Sequence, residues 1–128
     1  MSTILLVEPD MLLAQTYMRS LALAGHIVHV ARSAQAAVDA LDEYGADLIL
    51  LEIQLPAHNG VEFLHELRSY AEWQEIPVVV NSYMALSHLS HVREALRRDL
   101  GVAAILYKPQ LSLDELTTCV RRYAGVPA

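Results

Sequence analysis

The chemistry available to this chain rests on three carboxylates, one hydroxyl and one ammonium. Glu8 and Asp10 follow the apolar run Thr3–Val7, Glu52 follows Asp47–Leu51, Ser82 follows Pro77–Asn81, and Lys108 follows Ala103–Tyr107. Lys108 stands out because it is the only lysine: the other eight of the nine basic residues are arginine. An ammonium is a compact point charge with three donors, suited to a carboxylate or a small anion at short range. Charged residues are common where a strand reaches solvent, so no single one of these five is informative. The set is informative, because every strand end but one carries a polar group of complementary type.

These residues are useful together only if the runs before them lie side by side. The runs, with Ile27–Val30 as a fifth, are rich in Val, Ile and Leu and show no polar alternation, which predicts strands buried on both faces of a largely parallel sheet. Between them the apolar spacing turns helical. Leu12, Leu13, Tyr17, Leu21 and Ala24 form one stripe, and Ala34, Ala37, Val38 and Leu41 the next. Gly25 and Gly45 are placed to end those helices. A third helix is predicted over Gly60–Tyr70 with Val61, Leu64 and Leu67 inward. A fourth runs over Leu86–Leu100 with Leu89, Val92, Leu96 and Leu100. A fifth begins near Ser112, where Ser112-Leu-Asp-Glu115 has the form of a capping box. Five strand-then-helix units with right-handed crossovers give a doubly wound α/β sheet. In such a sheet, chemistry gathers at the carboxyl ends of the strands, where all five polar residues fall.

Length and composition narrow the rest. The 128 residues, 54% of them hydrophobic, suit a single domain over 1–128. A formal net charge of −6 leaves no large basic field for nucleic acid or an anionic membrane. The lone Cys119 cannot form an internal disulfide, the N-terminus lacks the pattern of a signal peptide, and no apolar run approaches the length of a membrane span. The expectation is a soluble cytoplasmic protein. Other motifs are weaker. His88 and His91 sit one helical turn apart without an apparent third ligand, so no metal is assigned to them. His26 and His29 fall on opposite faces of a strand. Arg93, Arg97 and Arg98 read as a solvated helix face, and Tyr44, Tyr70, Trp73 and Tyr123 as packing residues at helix ends.

Over essentially its whole length the sequence resembles the receiver domain of two-component signalling. The likeness is carried by Ile4-Leu-Leu-Val-Glu-Pro-Asp10, Ala24-Gly-His26, Asp47-Leu-Ile-Leu-Leu-Glu-Ile-Gln-Leu-Pro56 with Gly60, Ile76-Pro-Val-Val-Val-Asn-Ser82 and Tyr107-Lys-Pro109. The resemblance implies a flavodoxin-like (βα)5 fold with a parallel five-stranded sheet. It also implies a phosphoryl group taken from a histidine kinase onto an aspartate after the third strand, Mg²⁺ held by acidic residues after the first, and a Ser or Thr and a Lys that sense the acyl phosphate. Ser82, Lys108 and Glu8 match that pattern. Three positions depart from it. The phosphoacceptor position holds Glu52, one methylene longer than aspartate, and the second acidic position of the first strand holds Pro9, which offers Mg²⁺ no side-chain ligand. The usual switch aromatic three residues before the lysine is Ile105, with Tyr107 on the same strand face. The Ser82–Lys108 interval is also about one helical turn longer than usual, consistent with an extended fourth helix.

Three functions follow from these residues. The first is a stand-alone pseudo-receiver: a phosphorylation-independent interaction module in which Glu52 faces Ser82 and Lys108 as a permanent anion, with Glu8 and Asp10 completing an acidic pocket and no resident cofactor beyond a weak Mg²⁺ site open to Glu8, Glu52 and the Gln54 carbonyl. The second is a working single-domain receiver that still accepts phosphate from a histidine kinase. The third, a flavin-binding or hydrolytic enzyme, is disfavoured by the acidic loop after the first strand, which lacks a Ser/Thr/Gly cradle for phosphate, and by the want of a nucleophile and base pair. Because Ala128 follows soon after the fifth helix, the sequence predicts no output domain and signalling through protein partners. Those partners include a histidine kinase or another signalling protein, or a second copy docked through the fourth helix, fifth strand and fifth helix.

Overall fold

A computed structural model describes residues 2–57 and 59–124. The elements alternate along the chain: β1 (Thr3–Val7), α1 (Met11–Leu23), β2 (Ile27–Ala31), α2 (Ala34–Tyr44), β3 (Leu48–Leu51), α3 (Gly60–Ser69), β4 (Val78–Ser82), α4 (Leu86–Leu100), β5 (Val102–Tyr107) and α5 (Leu113–Tyr123). All strand pairs are parallel and the order is β2-β1-β3-β4-β5. This is the flavodoxin-like doubly wound sheet that the sequence predicts.

Strand residues divide between two cores by the alternation of a β-strand. Leu5, Val7, Ile49, Leu51, Val78 and Val80 face α2, α3 and α4 with Ala37, Leu41, Phe63, Leu67 and Leu96. Ile4, Leu6, Leu48, Leu50 and Val79 face α1 and α5 with Tyr17, Leu21, Leu116 and Val120. The three inner strands are buried along their length except at the half-buried Thr3, which is why their sequences lack polar alternation.

Local signals set the element ends. Asp10, Ser33 and Asn59 each accept a backbone N–H at a helix start, and Ser112 with Glu115 forms the expected capping box. The α1 stripe differs from its prediction. Ala14, Tyr17 and Leu21 are buried, but Leu12 is 76% exposed and Ala24 is the exposed C-cap. At 100° per residue Leu12 lies about 140° from Tyr17, so a helix that buries Tyr17 turns Leu12 outward. The third strand starts at Leu48, and the preceding Asp47 both donates its N–H to Thr3 O and accepts the Thr3 N–H on its side chain, each at 2.8 Å. The fourth starts after Pro77, which has no N–H to give the ladder.

Candidate functional site

The strand ladders run into the site and fix its backbone. Glu8 N–H donates to Ala31 and Glu52 N–H to Val7, at 2.9 and 3.0 Å, extending the pairing of β1 with both neighbours by one residue. Ser82 pairs with Tyr107, which brings Ser82 beside the turn that starts at Lys108. After Glu52 the chain reverses tightly, with a bridge between Gln54 and Asn59. Gly60 donates to Ile53 O across that reversal, and a Cβ on Gly60 would lie 2.7 Å from Ile53 Cα. Only glycine permits this approach, so Gly60 helps to set where Glu52 sits.

Four of the five residues singled out by type converge. Lys108 Nζ lies 2.5 Å from Glu8 Oε1 and 2.8 Å from Glu52 Oε1. Ser82 Oγ donates to Glu52 Oε2 at 2.5 Å. All four are buried, with relative exposures of 2% for Glu8, 3% for Glu52, 0% for Ser82 and 5% for Lys108. Asp10 is not among them: it is exposed at the start of α1 and its carboxylate accepts the Leu13 N–H, while its own N–H donates to Glu8 Oε2. The acidic pocket is therefore Glu8 and Glu52, with Asp10 contributing a backbone donor rather than a charge. Pro9 presents its carbonyl to the Arg32 guanidinium. Ile105 is half-buried and packs with Tyr107 against the core on the α4 side.

The Glu52 carboxylate is saturated. Its Oε1 accepts from Lys108 and from the Tyr83 N–H at 3.1 Å, and its Oε2 accepts from Ser82 and from the Gln54 N–H at 3.0 Å. Four donors fill the four lone-pair directions that a carboxylate has. Burial by itself would push the Glu52 carboxyl up. Lys108, Ser82 and Gln54 outweigh it and hold the carboxyl below its ordinary value. Burial would likewise push the Lys108 ammonium down, but its bonds to Glu52 and Glu8 win and raise it. The arrangement is a stable buried ion cluster, charged at neutral pH on both Glu52 and Lys108.

Two contributors escaped sequence reasoning. The Tyr83 ring centroid lies 4.5 Å from Lys108 Nζ, and Tyr83 is 51% exposed. Its position directly after Ser82 places it at a strand's carboxyl end, but nothing in its type marks the cation beneath it. Beside the cluster, Asn81 Nδ2 donates to the buried Tyr17 hydroxyl at 3.1 Å, tying β4 to α1. Burial raises the Tyr17 phenol against the opposing Asn81 bond. The remaining motifs stay apart from the site. His88 and His91 are exposed on α4, as are Arg93, Arg97 and Arg98. His29 stacks on Tyr44 at 3.9 Å, Trp73 is buried against Tyr70, and Tyr123 is half-buried.

The profile of the response regulator receiver domain matches residues 4–121. The chain belongs to that family. Among relatives, the receiver is 36% identical over 111 residues to the transcriptional regulatory protein MalR of Bacillus subtilis (strain 168), covering 85% of this chain and 45% of MalR. It is 28% identical to the polar-differentiation response regulator DivK of Brucella abortus (strain S19), covering 96% of both. The chain thus spans about half the length of MalR and nearly all of DivK. Among solved structures, a sensor protein from Polaromonas sp. JS666 superposes with a TM-score of 0.85 at 22% identity, covering 95% of this chain and 94% of that one. The Vibrio cholerae chemotaxis protein CheY4 gives 0.84 at 20% identity, covering 96% and 98%. These two likenesses speak to the fold. Receiver domains are signalling modules that interact with kinases and other proteins, and no helix among the described residues is long and apolar enough to cross a membrane.

The family implies Mg²⁺ at this rim, and the residues present do not fit it. Mg²⁺ needs near-octahedral oxygen ligands at about 2.0–2.1 Å. Pro9 supplies no side chain, the Lys108 ammonium already bridges the two carboxylates, and both Glu52 oxygens are fully engaged. Among the described residues no group of three or more His, Cys, Asp or Glu is placed to hold a metal.

Proposed function

We propose that this receiver signals through protein contacts without a phosphorylation cycle, with Glu52 serving as a built-in anion at the position of the phosphoacceptor. The observation that carries this reading is the saturation of the Glu52 carboxylate. An oxygen that attacks phosphorus needs a free lone pair aimed in line, and each Glu52 oxygen already accepts two hydrogen bonds. Ser82 and Lys108, which the family uses to sense an acyl phosphate, are here spent on a side chain of the same molecule. The extra methylene of glutamate supports this, because it carries the carboxylate further toward those donors than aspartate would. Partner binding is assigned to the face of α4, β5 and α5. That face begins where Ser82 and Lys108 end their strands, and it takes in Ile105 and Tyr107 on β5. The partner is a protein, either another signalling component or a second copy.

Acetyl phosphate or phosphoramidate with Mg²⁺, followed by intact-mass measurement, is expected to add no phosphoryl mass. A stoichiometric adduct on Glu52 would overturn the reading in favour of a working receiver that accepts phosphate from a histidine kinase.

A further inference from the structure

We propose that Tyr83 is a gate over the buried cluster: its ring closes off the chain's only lysine from solvent, and it couples the exposed surface to the Glu8–Lys108–Glu52 ion cluster. The inference stands whether or not Glu52 can take phosphate. Lys108 Nζ spends hydrogen bonds on Glu8 and Glu52 and also meets the Tyr83 ring, 4.5 Å from its centroid. Lys108 is only 5% exposed although it lies at a strand end, while Tyr83 is 51% exposed. The ring therefore has one face toward the ammonium and much of its surface in water. Attraction between a cation and an aromatic face holds it there.

The backbone beneath the ring is pinned. Tyr83 N–H donates to Glu52 Oε1, Ser82 Oγ to Glu52 Oε2, and Met84 N–H to Ser82 Oγ. Tyr83 can thus open by turning its side chain about Cα–Cβ while its Cα stays in place. The same residue is attached to the cluster twice, by its N–H to the carboxylate and by its ring to the ammonium. A change of charge at Glu52 reaches the surface through Tyr83 without passing through Ile105, where the usual aromatic is missing. A partner that holds the ring, open or closed, acts back on the cluster by the same route.

The single lysine makes the test direct. Full-length protein is treated briefly with an N-hydroxysuccinimide acetate, and acetylation of Lys108 is followed by peptide mapping with the N-terminal amine as internal reference. In the wild type Lys108 is expected to react slowly. Tyr83→Ala should raise its rate about ten-fold, the scale of losing one such contact and its cover. Tyr83→Phe, which keeps the ring face, should react like the wild type. Hydrogen exchange of the β4 and β5 amides separates gate loss from general loosening: fast acetylation with unchanged exchange supports the gate. An unchanged rate in Tyr83→Ala overturns it, as does a Tyr83→Phe rate equal to that of Tyr83→Ala. So does a gain in acetylation matched by an equal gain in exchange.

Discussion

Each end of the sheet is organised around one cation, buried at one end and half-buried at the other, and the two are held in opposite ways. At the carboxyl ends of the strands, Lys108 is bound by two carboxylates, Glu8 and Glu52. At the amino ends, Arg68 on α3 donates to the carbonyls of Leu100, Trp73, Gln74, Ile76 and Gly101, at 2.8 to 3.4 Å. Those carbonyls belong to the C-terminus of α4 and to the approach to β4, so one planar fork fastens three segments to one another. Burial lowers the Arg68 guanidinium from its ordinary value, but an arginine stays charged in a protein throughout the working pH range. The Arg68 end holds dipoles and cannot be switched. The Lys108 end holds charges and can be.

The largest expected effect comes from breaking the Lys108 end. Lys108→Met leaves Glu8 and Glu52 buried without their common partner, a loss of about 3–5 kcal/mol seen as a lower thermal midpoint at neutral pH. The pH dependence follows from the directions of the two shifts. Glu52 is lowered, so its contribution is full above its ordinary value of 4.5 and is lost as pH falls through the lower folded value. Lys108 is raised, so its contribution is full below its ordinary value of 10.5 and is lost as pH climbs through the higher folded value. The deficit of Lys108→Met should therefore be widest between those limits and shrink on acidification, as the orphaned Glu52 takes up a proton. Melts of both proteins from acid to alkaline pH read this directly. A deficit that stays constant across that range would show that the cluster is not what stabilises this end.

Arg68→Ala should cost somewhat less, about 2–3 kcal/mol, because several carbonyls lose a charged donor but part of the site opens to water. Here the difference from the wild type should be the same at every pH between the two limits. Arg68→Lys should recover only part of it, since an ammonium has three donors and no fixed fork. Chemical denaturation at several pH values distinguishes the two ends. A pH-dependent Arg68→Ala deficit would break the contrast drawn between them.

The two ends were also unequally legible in the sequence. The fold, the strand ends and the meeting of Glu8, Glu52, Ser82 and Lys108 follow from apolar runs and from side chains whose types fit one another. Asp10 misled because its type suits a pocket as well as a helix cap, and only the start of α1 decides between them. Arg68 left no mark, because its partners are backbone carbonyls that every residue carries. Tyr83 was hidden for a related reason: an aromatic beside a strand end carries no label for the cation it covers. The four-donor saturation of Glu52 includes the backbone N–H groups of Gln54 and Tyr83, and neither is written in side-chain identity.

The smallest expected effect concerns where backbone strain is kept. At the helix ends that lead into β2, β3 and β5, positive φ falls on Gly25, Gly45 and Gly101, where it costs little. At the opposite end, in the loop after Glu52, the positive φ of 65° falls on Ala57, the one non-glycine so placed among the described residues. An alanine in the left-handed region carries about 1–2 kcal/mol of strain from its Cβ. The loop therefore holds an unfavourable conformation three residues after Gln54, whose N–H helps to bind Glu52. Ala57→Gly should release that strain and raise stability by about 0.5–1 kcal/mol, less than the full strain because glycine also gains freedom in the unfolded chain. Gly101→Ala should do the reverse and lose about 1 kcal/mol at the unstrained end. Opposite signs in paired thermal melts would place the strain at the end that carries Glu52, the pattern expected where local geometry serves a site. A loss of stability in Ala57→Gly would mean that its φ is relaxed by its surroundings, and that the two ends differ in charge but not in strain.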